Sequence, residues 1–293
     1  MNPSLMQNRN TIMDEISGLL ILYMIAYHVL QWANLQDSQA MEIFSYLNFF
    51  MPWFFFKAGM FFNAKEPKVI FQNSFKRLMI PFIVWSIIGT IIDCIVSCFI
   101  EYAHTFIEYV KVVIYMSATE GSVPGNLALW FLLALFVARI IINKWITLGI
   151  SLYLLAAISI AIPTAVHFLN LNLPYYFCYV SSGVFYFTMG ILLKEFSNNK
   201  WVKIASVFLY ISMSVLYKPL VDIRMNTLLE GYYLLWPIWS IAGIITINTL
   251  FESLHKIGKL QLPVLSYIGR NSMIIYVIHW PILIISFCIL RHI

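Results

Sequence analysis

The chain has 293 residues, of which 61% are hydrophobic and only 11% charged, with a formal net charge of +5. Soluble domains are about 45–50% apolar and about 25% charged, so this composition excludes a water-soluble fold and requires lipid as the solvent for much of the surface. The excess positive charge falls in clusters between apolar runs, which argues for membrane topology and against a nucleic-acid partner.

A membrane-crossing helix needs about 20 mainly apolar residues. Read in chain order, that length predicts spans at 15–33, 43–63, 78–100, 127–143, 147–168, 175–193, 202–218, 231–251 and 264–288. The fold class is therefore all-α: a polytopic integral membrane helix bundle of about nine to ten transmembrane helices. No long linker, repeat or low-complexity tract interrupts it, so residues 1–293 read as one membrane domain. The first run follows Arg9, Asp14 and Glu15 without a small-residue cleavage site, and is expected to be retained as a span.

Lysine and arginine mark the loops. Lys65, Lys68, Lys76 and Arg77 lie in the second, Lys144 in the fourth, Lys194, Lys200 and Lys203 in the sixth, and Lys256 and Lys259 in the eighth. The first loop carries only Asp37 and Glu42, and the fifth no charge. The third and seventh are mixed, with Glu101, Glu108, Lys111 and Glu120, then Lys218, Asp222, Arg224 and Glu230. The positive-inside rule then puts the even loops and the N-terminus in the cytoplasm. The stretch 104–118 also reads as a short re-entrant or interfacial helix, and one further span there would reverse the side of the C-terminus.

Ionisable residues inside apolar runs are costly and usually face a partner or a cavity. His28 lies 14 residues beyond Asp14, about 21 Å at helical rise. Asp93 is 15 residues beyond Leu78, and His279 is 15 beyond Val264. Three helices thus carry an ionisable group to one level, where a shared polar cavity is expected. A neutral imidazole with a carboxylate on its other nitrogen is the arrangement of a general base, so His28 is the candidate catalytic base, oriented by Asp93 or His279. Lys57, in "FFMPWFFFKAGMFF", is a further buried cation; it either snorkels to the interface or helps hold an anion, together with Lys76 and Arg77. The cysteines Cys94, Cys98, Cys178 and Cys288 all lie in apolar runs and read as small hydrophobes, and no metal-ligand spacing is present.

These same stretches resemble the acyltransferase-3 family of bacterial multi-spanning membrane proteins. "MDEISGLLILYMIAYHV" is similar to that family's opening span, with an acidic residue (Asp14), a glycine and the histidine. "FFMPWFFFKAGMFF" resembles its second span and "FKRLMIPFIVW" the start of its third. "LWFLLALFVARII" and "YIGRNSMIIYVIHWPIL" resemble two further signatures, which contain Trp130 and then Asn271 and Tyr276. The resemblance implies an O-acyltransferase, most simply an O-acetyltransferase, in a bacterial inner membrane. It would move an acyl group from cytoplasmic acetyl-CoA or another acyl-CoA to a hydroxyl of a surface or lipid-linked glycan, with no permanently bound cofactor. It implies a catalytic role for His28 and donor binding by basic residues such as Arg77. It adds Asp14, Trp130, Asn271 and Tyr276 to Lys57, Lys76 and Arg77 as substrate-binding candidates. One position departs from the pattern: the family usually has arginine or lysine before the first-span glycine, where this chain has Ser17. Lys57, at a similar depth on the next span, is expected to supply that charge. Two other functions remain open here. One is a transporter or flippase for a lipid-linked glycan, disfavoured by the lack of an inverted repeat; the other is a catalytically silent assembly partner, kept in play by Ser17.

Overall fold

The helices form where apolar residues recur at helical spacing. In the first, Met13, Ile16, Leu20 and Met24 repeat every three or four residues and are buried. A computed structural model describes residues 10–35, 39–99, 106–169, 171, 173–217, 235–258 and 262–292. In chain order the helices are α1 (Thr11–Trp32), α2 (Gln39–Ser45), α3 (Phe50–Met60), α4 (Pro67–Ser74), α5 (Ile80–Phe99), α6 (Phe106–Thr119) and α7 (Trp130–Thr147). They are followed by α8 (Leu152–Phe168), α9 (Tyr175–Leu193), α10 (Lys200–Tyr217), α11 (Leu235–Lys256), α12 (Pro263–Arg270) and α13 (Ser272–His292). There is no β-strand among the described residues. The all-α membrane bundle expected from composition is the observed class.

Among the described residues, six segments are long and apolar enough to cross a membrane by themselves: Thr11–Trp32, Pro67–Ser97, Leu127–Thr147, Tyr176–Leu193, Leu235–Lys256 and Ser272–Leu290. The other expected spans take different forms. The run 43–63 is broken by a turn at 46–49 into α2 and α3, and α8 is 17 residues long. The stretch 104–118 largely coincides with the 14-residue α6, Phe106–Thr119. The last run is broken at Asn271, between α12 and α13. Asp37, Glu101, Lys259 and the seventh-loop charges Lys218, Asp222, Arg224 and Glu230 lie outside the described residues.

Prolines decide where helices lose a backbone hydrogen bond. A proline has no N–H to give the carbonyl four residues back. Ahead of Pro81, the chain widens into a π-helical turn (Phe75–Met79) in which the Ile80 N–H reaches the Phe75 carbonyl. This turn joins α4 to α5 and carries Lys76 and Arg77. Pro163 in α8 frees the Ser159 carbonyl, which accepts the Ser181 hydroxyl of α9 at 2.6 Å. Pro281 in α13 frees the Val277 carbonyl, which accepts Asn126 Nδ2 at 2.9 Å. In each of these two helices a neighbouring segment closes the gap that lipid could not fill.

Glycines set the close crossings. A Cβ at Gly59 would lie 2.0 Å from the Phe187 carbonyl oxygen, and one at Gly190 2.1 Å from that of Phe56, so α3 and α9 touch backbone to backbone. Gly18 and Gly269 do the same for α1 and α12, where an added Cβ would meet the Leu265 and Asp14 carbonyl oxygens at 2.1 and 1.7 Å. The α1 end is also clasped by buried Glu15, which takes His255 Nε2 at 2.7 Å and the Leu262 N–H at 3.2 Å, tying α1 to α11 and α12. We expect Gly190→Val to cost roughly 3 kcal/mol, read as an earlier thermal unfolding transition in detergent.

Candidate active site

Because Gly18 and Gly269 bring α1 against α12, α13 continues alongside the far half of α1, and two histidines meet. His28 Nδ1 lies 3.0 Å from His279 Nε2, with the rings nearly parallel at 7°. On its other side His279 Nδ1 is 2.5 Å from the Tyr276 carbonyl oxygen. That carbonyl can only accept, so Nδ1 of His279 carries a proton. His279 is only 5% exposed, and a charge there would need a paired anion; the ring is therefore neutral and its Nε2 accepts. His28 must then donate from Nδ1, which makes its Nε2 the basic nitrogen. A backbone carbonyl thus sets the tautomer of both rings.

Asp93, expected at the same level, has a different role in the hydrogen bonding. Its carboxylate accepts the Tyr109 hydroxyl of α6 at 2.9 Å, and that hydroxyl also lies 3.1 Å from the Thr90 carbonyl. His279 is the group found on His28. On this geometry we expect Asp93→Asn to slow turnover less than tenfold, and less than His279→Ala does, in a steady-state assay of the purified protein.

At the Lys/Arg-rich end of the bundle is a cavity of about 720 Å³ lined by Lys57, Lys65, Arg77, Arg139 and Arg270, with Asp14 as its carboxylate. Arg139, on α7, is fixed by its Nε donating to Ser74 at 3.1 Å and by lying over the Phe62 ring. The Lys57 ammonium donates to the Ser17 hydroxyl at 2.5 Å and to the Met13 carbonyl at 3.1 Å, with the Trp53 ring 5.3 Å away. Ser17 in turn donates to the Met13 carbonyl at 2.6 Å. The charge that Ser17 lacks is therefore present at its side chain, brought by α3.

A second, apolar pocket of about 150 Å³ adjoins this cavity. Phe54, Leu135, Ser272 and Met273 line both, and Ile21 and Tyr276 line only the inner one. Tyr276, whose carbonyl holds His279, is thus one of the residues that line the apolar pocket. Of the other expected site residues, Lys76 is exposed and outside the cavity lining, and buried Trp130 packs on Tyr179 at 5.1 Å. Asn271 closes α12, its Nδ2 donating to the Tyr267 carbonyl at 2.9 Å, while its neighbours Arg270 and Ser272 line the cavity. Arg139 and Arg270 went unmarked in the sequence reading although both stand inside the quoted signature stretches. Arg139, a cation within the apolar run 127–143, carried the same signal as Lys57. Among the described residues no three His, Cys, Asp or Glu side chains converge as a metal site would require.

A protein-family model described as an acyltransferase domain matches residues 13–293. The chain belongs to the acyltransferase-3 family. As a member it is a multi-pass membrane acyltransferase, and the match covers every segment that builds the two cavities and the histidine pair. No curated protein and no solved structure matches it.

Proposed function

We propose that this acyltransferase moves an acyl group from cytoplasmic acyl-CoA to a hydroxyl of a surface or lipid-linked glycan, in a bacterial plasma membrane with its N-terminus in the cytoplasm. The observation that carries the reading is the hydrogen-bonded series from the Tyr276 carbonyl through His279 to His28, in which Tyr276 also lines the apolar pocket that adjoins the basic cavity. Five cations suit the phosphates of a CoA nucleotide, for which arginine offers paired donors. The apolar pocket has room for a short acyl group such as acetyl. His28 Nε2 would take the proton of the acceptor hydroxyl as its oxygen attacks the thioester carbon. Lys57, at Ser17, takes the place of the first-span cation and binds donor. Acceptor glycan would approach from the opposite end of α1 and α13.

The test has two parts. Purified protein should release free thiol from acetyl-CoA in the presence of surface polysaccharide extracted from the producing cells. Mass spectrometry of that polysaccharide from cells with and without the gene should differ by an acyl mass. A protein that releases no thiol, from cells whose glycans are unchanged, would refute the reading.

A further inference from the structure

Beside the histidine pair is a buried donor with no acceptor. Trp280 follows His279 on α13 and is 5% exposed, and its indole N–H meets no hydrogen-bond partner among the described residues. Its ring stands at 82° to that of His28 with centroids 4.9 Å apart, and at 73° to that of Trp32 at 5.9 Å. Two other buried indoles have acceptors: Trp53 donates to Asn248 at 2.9 Å and Trp239 to Ser214 at 2.8 Å. Trp236, which also lacks a partner, packs on Tyr186 and Trp239 and touches neither histidine of the pair. Leaving an N–H unpaired out of water is costly, and such groups usually meet an absent water or ligand.

We propose that the Trp280 indole N–H binds the oxygen of the acyl carbonyl and stabilises the oxyanion that forms there. The inference rests on the reading of His28 as base in transfer from a thioester. In that step the acceptor hydroxyl gives its proton to His28 Nε2 while its oxygen bonds the carbonyl carbon. The carbonyl electron pair moves onto oxygen, where the indole N–H donates. Collapse restores the C=O bond and breaks C–S, and the thiolate takes the proton from His28, leaving an ester and free CoA thiol. A donor fixed by packing suits this task because it needs no reorganisation as charge develops.

The experiment uses the full-length protein with acetyl-CoA and the extracted polysaccharide. Trp280→Phe keeps an aromatic ring and removes the N–H; kcat should fall roughly a hundredfold while KM for acetyl-CoA stays within about twofold, the split expected of an interaction made in the transition state. Placing 3-benzothienylalanine at position 280 keeps the indole shape with sulfur in place of N–H, and should give the same loss, which separates donation from packing. Wild-type kcat in the sulfur isostere overturns the proposal, as does a raised KM with unchanged kcat. If the phenylalanine variant does not fold, the isostere decides. Failure of the wild-type protein to release thiol overturns the acyl-transfer reading and this inference with it. An active wild type, an inactive His28→Ala and an indifferent isostere overturn this inference alone.

Discussion

His28→Ala is expected to lower acyl transfer by about 10³-fold, within the range general base catalysis supplies, while leaving the bundle folded. His28 is only partly buried and its ring packs on His279 and Trp280 at the far end of α1, away from the Gly18–Gly269 crossing that joins α1 to α12. Its loss should therefore be a loss of chemistry. His279→Ala should cost less, about 10- to 100-fold, because the base is still present without the group that fixes its tautomer. The measurement is thiol release from acetyl-CoA by purified variants, with thermal unfolding as the control for folding. More than a tenth of wild-type activity in His28→Ala would remove it as the base. Equal loss in the two variants would make the histidines a single unit.

The second large effect concerns Lys57. Its ammonium lines the basic cavity and touches Ser17, so Lys57→Met should raise the KM for acyl-CoA about tenfold with little change in kcat, as expected when uniform binding is removed. Adding Ser17→Arg should bring part of the affinity back, because the cation returns to the same spot from α1. The effect should shrink as ionic strength rises. An ammonium that matters only to packing gives another pattern: Lys57→Met would leave KM unchanged and lower thermal stability through the lost bonds to Ser17 and the Met13 carbonyl. That result would end the case for a relocated charge.

What the sequence made legible followed from rules that act locally. Apolar run length gave the bundle, and depth along each helix put His28 and His279 at one level, where they form a hydrogen bond. The same reasoning placed Lys57 level with Ser17. Depth alone could not say which face of a helix a residue occupies, so Asp93, at the right height, is bound by Tyr109. Breaks within runs were hidden for a similar reason: hydropathy averages across the turn at 46–49 and across Asn271. Arg270 was hidden because its place in the cavity depends on that second break. Glu15 read as a terminal charge, and only the meeting of three helices makes it a buried clasp.

The carbonyls freed by Pro163 and Pro281 also bear on the order of assembly. Neither helix can complete its own hydrogen bonds: one waits for Ser181 of α9, the other needs Asn126 from the segment ahead of α7. A chain made from its N-terminus reaches these pairs in opposite order. Asn126 is already in place when α13 arrives, whereas the Ser159 carbonyl of α8 is made before its donor exists. The last helix, which carries half of the histidine pair, can therefore dock against a waiting partner, while α8 keeps an unmet carbonyl until α9 follows it into the membrane.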